Sequence, residues 1–238
     1  LAVAFDKKGK TFRHEMFTEY KGTRKATPDE LVPQFGLLKQ ALEGVGIASL
    51  ELEGYEADDI LGVLSNLAAK NGMESLLLTG DKDALQLISD SCKVMLTRKG
   101  VSEIDIYDEQ RLKDEYDLVP EQIVDLKGFM GDSSDNIPGV PGVGEKTALK
   151  LLQCYKSMDG VYENIGSVAG KLKEKLQENK ELAFLSRALA AIDINAPVEV
   201  TLAALKFGEL TADNAREAFK KLGFTSLLKR LGDAPKDE

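Results

Sequence analysis

Eight carboxylates stand out by their spacing: Asp6, the cluster Glu56, Asp58 and Asp59, the pair Asp81 and Asp83, and the pair Asp132 and Asp135. Asp6 closes the apolar run LAVAF (1–5), the second group opens a helical period after IASLEL (47–52), and the third follows SLLLT (75–79). In open parallel sheets, functional groups gather beyond the carboxyl ends of the strands. Asp132 and Asp135, three residues apart, fall on one helical face. Oxygen-only ligands suit hard cations, Mg²⁺ first and Mn²⁺ as its substitute. Without such cations, so many carboxylates could not stay ionised together. Each group alone also reads as ordinary structure, since acids favour a helix N-terminus and aspartates favour turns. Four groups at matched positions predict a metal crevice.

Residues 7–25 carry seven Lys/Arg against Glu15 and Glu19, interleaved with Phe12, Phe17 and Tyr20. Cations such as Arg13, Lys21 and Arg24 position phosphate and aromatic faces stack on bases, so a mobile, single-strand-binding segment is predicted. A charge run is also what a solvated face looks like. His14, the lone histidine, has no neighbour that suggests a nucleophile or ligand. Residues 137–151, IPGVPGVGEKTALKL, fail as a P-loop, because Glu145 stands where the lysine belongs and Pro141 removes an N–H. They fit a helix–hairpin–helix. Gly142 and Gly144 permit close backbone approach, and the helix that follows offers N–H groups, with Lys146 and Thr147, to a phosphate. Such a hairpin grips a duplex without reading its sequence. An ordinary glycine turn is the alternative.

Strands and helices must alternate to place the acids. Strands are expected at 1–5, 47–52, 75–79, 93–97 and 101–107, with helices after Thr27-Pro28 and over 56–70. That pattern predicts an α/β fold, a largely parallel sheet flanked by helices. Beyond Asp108 the periods turn helical, over 108–116, 120–130, 143–155, 170–191 and 211–231. We therefore expect a metal-binding α/β core over 1–115, a helical duplex-binding unit over 116–231 and a linker starting at 232–238.

Composition narrows the classes. At 43% hydrophobic and 30% charged, 238 residues support one or two domains with a real core. No apolar run is long enough for a membrane span, and no signal peptide is legible. Cys92 and Cys154 cannot staple a chain of this size, and a zinc cluster has no ligands. A reducing cytoplasm is the expected setting. The net charge of −9 argues against nucleic acid only until the eight grouped acids are set aside, which leaves 31 basic against 32 acidic residues. The chain starts at Leu1 inside an apolar run, and a fragment of a longer protein is expected. Metal crevice, basic-aromatic segment and hairpin together describe a metal-dependent nuclease. The rivals are a DNA-holding module without catalysis and a phosphohydrolase for small phosphate esters that uses Asp81 and Asp83.

AFDKKGKTFRHEMFTEYKGTRK, GYEADD, TGDKDALQL and GDSSDNIPGVPGVGEKTA resemble, in order and spacing, the 5′-nuclease (5′-3′ exonuclease) domains of bacterial DNA polymerase I, in the flap endonuclease superfamily. The match runs from Leu1 to about Leu231. The resemblance implies a two-metal phosphodiester hydrolase, active in replication and repair on DNA with 5′ flaps, nicks or 5′ ends. It implies metal ligation by Asp6, Glu56, Asp58, Asp59, Asp81, Asp83, Asp132 and Asp135, the last three leaning to the second ion. Lys21 and Arg24 match the family's helical arch, where they engage the substrate phosphate beside Tyr20. The hairpin would also hold K⁺ on backbone carbonyls. A polymerase portion would follow in cis. The family opens with a further strand bearing another metal-ligating Asp ahead of the segment matching Leu1–Asp6, so a sheet without that strand and a first metal without that ligand are expected.

Overall fold

The computed structural model describes residues 1–99, 103–208 and 212–231. LAVAF supplies β1 (Ala2–Ala4), which leads into α1 (Phe12–Met16), a series of turns, and α2 (Val32–Gly44). The helix expected after Thr27 starts at Val32 instead. Pro28 accepts from the amides of Leu31 and Val32 in a turn, and Pro33 takes the first helical turn, where its missing N–H costs nothing. β2 (Ala48–Leu50) pairs parallel with β1. α3 (Ala57–Lys70) begins at Glu56, whose amide donates to Asp59 Oδ2 at 2.9 Å, and stops at Asn71 and Gly72. β3 (Ser75–Thr79) leads through a 3₁₀ turn over Lys82–Leu87 into β4 (Cys92–Lys99) and β5 (Glu103–Tyr107).

The single, largely parallel sheet expected from the sequence is two small sheets. β1 and β2 form one, and β3, β4 and β5 form the other, with β3 parallel and β5 antiparallel to β4. Between β1 and β3 runs a groove of about 900 Å³, with Leu61, Leu64 and Ala68 of α3 along it. β1 and β3 share no ladder hydrogen bond. SLLLT is buried on one face only: Leu77 is 6% exposed, whereas Leu76 and Leu78, pointing oppositely by the two-residue period, are each 57% exposed along the groove.

The remainder is helical: α4 (Glu109–Tyr116), α5 (Gln122–Met130), α6 (Glu145–Tyr155), α7 (Met158–Glu163), α8 (Gly170–Glu178), α9 (Lys180–Ala190), α10 (Ala212–Lys221) and α11 (Thr225–Arg230). The helix expected over 170–191 breaks at Asn179, whose side chain donates to the Lys175 carbonyl at 2.9 Å while its own carbonyl starts α9. One hydrophobic core runs through both halves. It joins Leu85, Val94, Tyr107 and Leu112 to Phe129, Leu152, Met158 and Leu176. The expected linker at 232–238 and the first residues of the expected strand 101–107 lie outside the described residues. Among the described residues no helix is long and apolar enough to cross a membrane.

Candidate active site

Seven of the eight grouped carboxylates line one crevice of about 620 Å³: Asp6, Glu56, Asp58, Asp81, Asp83, Asp132 and Asp135. Asp6, just past β1, accepts from the Ala57 amide at 2.7 Å and so caps the start of α3 across the sheet. Glu56 and Asp58 sit at that same helix start. Asp81 accepts from the Asp83 amide at 2.9 Å, which fixes the turn after β3. The last pair comes from the loop after α5. Asp132 and Ile137 exchange backbone hydrogen bonds of 2.9 and 2.7 Å across that loop, and Gly131 and Gly139 pack backbone to backbone at its base. A Cβ on Gly139 would stand 2.3 Å from the Gly131 nitrogen, so only glycine permits this closure.

The eighth carboxylate is elsewhere. Asp59 is fully buried, and Arg13 reaches both of its oxygens at 2.8 Å. The same oxygens accept the amides of Glu56 and Asp193. Asp59 holds the fold together and has no free lone pair to offer a metal. Burial works to raise its pKa, but Arg13 outweighs it and the carboxyl stays below the ordinary range. Arg13 itself is 3% exposed and also donates to the carbonyls of Leu189 and Ala191. Its placement in a DNA-contacting segment is therefore corrected: it is a buried clasp between the two halves.

Residues 7–25 are less free than their charge suggests. Tyr20 is 3% exposed, and its hydroxyl donates towards Glu56 at 3.1 Å and Asp135 at 3.2 Å. Burial and these two anions push its pKa up, so it remains a neutral donor instead of a stacking surface. Phe12 packs on Tyr55 with ring centroids 5.6 Å apart, and Phe17 packs against the small core around Tyr20. His14 accepts from the Thr11 amide at 3.0 Å as a helix cap. Lys21 and Arg24 do reach the crevice. Lys21 Nζ lies 2.7 Å from Glu56 Oε1 and 3.7 Å from Asp135, and Arg24 pairs with Asp135. Lys21 adopts φ +54°, a left-handed conformation that a lysine rarely takes, while its amide donates to the Asp135 carbonyl at 2.8 Å.

Sequence reasoning missed Lys127. It lies on α5 between the two later acid pairs, 2.6 Å from Asp83 Oδ1 and hydrogen-bonded to Asp132 Oδ2. The available signal was a lone cation in the apolar helix QIVDLKGFM. Burial opposes its charge, but the two aspartates outweigh burial and raise its pKa. Burial likewise works to raise Asp132, yet Lys127 and Ser134 bring it down to about 2. Asp58 has no such cation. Burial, then Asp81, Asp6 and Glu56, push it up to about 7. Asp83, buried and beside Asp81, rises to about 6 despite Lys127.

Among the described residues, no three His, Cys, Asp or Glu side chains stand in an assembled metal cage. The protein's own cations sit between them. The donor set, all oxygen and held neutral in part by mutual repulsion, is nonetheless the kind a hard divalent cation fits.

On the neighbouring surface, α5 and α6 flank the hairpin. Val140 and Val143 are buried, Gly142 has φ +76° and Gly144 caps α6. Lys146 is exposed in the first turn of α6, and the amide of Thr147 next to it donates to the Gly144 carbonyl at 3.0 Å. Lys175 of α8 lies over the turn: a Cβ on Gly142 would be 2.3 Å from its Nζ.

An acid crevice beside a glycine hairpin, on a small α/β layer and a helical unit, defines a class of nuclease. The chain belongs to the 5′-3′ exonuclease family: residues 1–117 match its N-terminal resolvase-like domain and residues 118–213 its C-terminal SAM fold. It is 49% identical over 234 residues to DNA polymerase I of Bacillus subtilis (strain 168), covering 98% of this chain and 27% of that one. The chain thus spans about a quarter of the length of the curated relatives it matches. Its fold is similar to that of the T5 5′-exonuclease with bound zinc (TM-score 0.69, 23% identity, 97% of this chain and 80% of that one). A bacteriophage T5 flap endonuclease, solved as a pseudo-enzyme-product complex with DNA and metal ions, is similar as well (TM-score 0.66, 24% identity, the same coverage).

Proposed function

We propose that this chain hydrolyses DNA phosphodiesters as a structure-specific 5′ nuclease, cutting 5′ flaps, nicks and 5′ ends. The carrying observation is that seven carboxylates and the two arch cations, Lys21 and Arg24, face one crevice. Asp6, Glu56, Asp58 and Asp81 would hold a first divalent cation, and Asp83, Asp132 and Asp135 a second, with Mg²⁺ the expected ion and Mn²⁺ its substitute. When bound, such ions supply an activated water and charge stabilisation at the leaving oxygen.

The chain's own residues do the rest. Lys21 and Arg24 engage the phosphoryl oxygens and offset their charge. Tyr20, neutral and buried, holds Glu56 and Asp135 in place. Gly142, Gly144, Lys146 and Thr147 grip the duplex backbone through amides and an ammonium, and a K⁺ ion on the hairpin carbonyls belongs to the same reading. A polymerase portion in cis and a cytoplasmic setting complete it.

A 5′-labelled flap duplex incubated with Mg²⁺ and with chelator tests the proposal. Metal-dependent release of the flap, abolished in Asp81→Asn with duplex binding retained, is the expected result. Binding with no cleavage under any divalent ion would leave a DNA-holding module.

A further inference from the structure

We propose that Lys127 occupies the place of the second divalent cation in the metal-free chain and must leave before that cation binds. The inference rests on the two-cation reading above. Lys127 Nζ lies between oxygens that come from different parts of the chain, Asp83 Oδ1 after β3 and Asp132 Oδ2 after α5. Its side chain is 14% exposed, so the ammonium is inside the crevice wall and not a solvated tip. Asp83 Oδ1 is buried and, although 2.6 Å from the ammonium, makes no aligned hydrogen bond. A divalent cation held by Asp83 and Asp132 would compete with the ammonium for the same two carboxylates.

Lys127 could instead be a scaffold that presents the aspartates to the ion. The remaining contacts decide between these roles. Ser134 already fixes Asp132 through its amide at 2.7 Å and hydroxyl at 2.6 Å, both on Oδ1, which leaves Oδ2 to a cation. The Asp83 amide donates to Asp81 Oδ1, which fixes the turn that carries Asp83. Asp132 therefore keeps its orientation without the lysine, whereas the lysine's positive charge directly opposes a second cation a few ångströms away. The open crevice gives the side chain room to swing aside. Uptake of the second ion is an exchange of one charge for two, and its affinity is set below what the carboxylates alone would give.

Binding of Mn²⁺ to the DNA-free chain, counted by electron paramagnetic resonance, tests this without any turnover. The wild-type chain should show a tighter and a weaker class of ion, and Asp83→Asn should lose the weaker one. In Lys127→Met the weaker class should tighten by at least about tenfold. Lys127→Gln, which keeps a polar group without the charge, should do the same, and circular dichroism checks that each variant folds. In the wild-type chain itself, the labelled Nζ resonance of Lys127 should shift as Mg²⁺ fills the second class. An unchanged or weakened second class in both variants, or a stationary resonance, overturns the exchange and makes Lys127 a scaffold. Absence of any bound Mn²⁺ in the wild-type chain overturns the metal reading itself.

Discussion

Arg13 meets Asp59 through two parallel hydrogen bonds of 2.8 Å, with the pair sealed from solvent and the guanidinium also donating to the carbonyls of Leu189 and Ala191. Breaking one side of a buried pair strands the other charge, at a cost of about 3–5 kcal/mol. Asp59→Asn should lower stability in urea unfolding by roughly that amount. Metal affinity of the folded fraction should stay at the wild-type value. Intact stability with lost metal binding would return Asp59 to the ligand set.

Acid titration gives a second expectation. Asp58 and Asp83 hold their protons up to about 7 and about 6 in the metal-free fold, against about 3.9 for an ordinary aspartate. A raised carboxyl pKa means the folded state binds protons more tightly than the unfolded state. The contribution is full below the unfolded value and is lost as pH rises through the folded ones. In chelator, the melting temperature should therefore carry a falling component between about pH 4 and pH 7. Asp132, held at about 2, acts oppositely but at lower pH. Added Mg²⁺ should raise the melting temperature most at the alkaline end of that window, which scanning calorimetry would show.

Lys21 stands 2.7 Å from Glu56, and in the proposed function it engages the substrate phosphate. Lys21→Ala should slow flap cleavage by about a hundredfold or more, the scale of losing one aimed charge on a phosphoryl oxygen. Duplex affinity, carried by the hairpin, should change by no more than a few-fold. Equal losses in both would make Lys21 an anchor only.

Gly139 and Gly131 supply a mechanical prediction. With φ +60° and a Gly131 nitrogen 2.3 Å from any added Cβ, Gly139→Ala should cost at least about 2 kcal/mol through strain and overlap. Gly142→Ala meets only the flexible end of Lys175, so it should cost only the roughly 1–2 kcal/mol of a left-handed alanine (φ +76°), and its larger effect should be weaker duplex binding. Chemical denaturation and a gel-shift titration separate the two.

The acid groups were legible because strand ends and helix starts are local features: Asp6, Glu56, Asp58, Asp81 and Asp83 follow runs whose apolar period announces an element. Asp59 misled because its neighbour spacing is identical to that of Asp58, and only a distant arginine decides which of the two turns inward. Tyr20 and Arg13 misled for the same reason, since a charged and aromatic segment carries no mark of what it will be buried against. The joined sheet was over-read because period-two runs specify strands but not which strands pair. Lys127 was invisible because its partners arrive from another strand end and from the next loop.

The contact between Gly131 and Gly139 has one more consequence. On one side it sets Asp132 and Asp135, on the other it launches the hairpin that would hold the duplex. No side chain intervenes, so the piece that grips and the piece that bears the carboxylates are a single length of backbone. In the proposed function such a piece would act as a caliper, fixing how many nucleotides separate the held duplex from the bond that is cut, whatever the sequence between them.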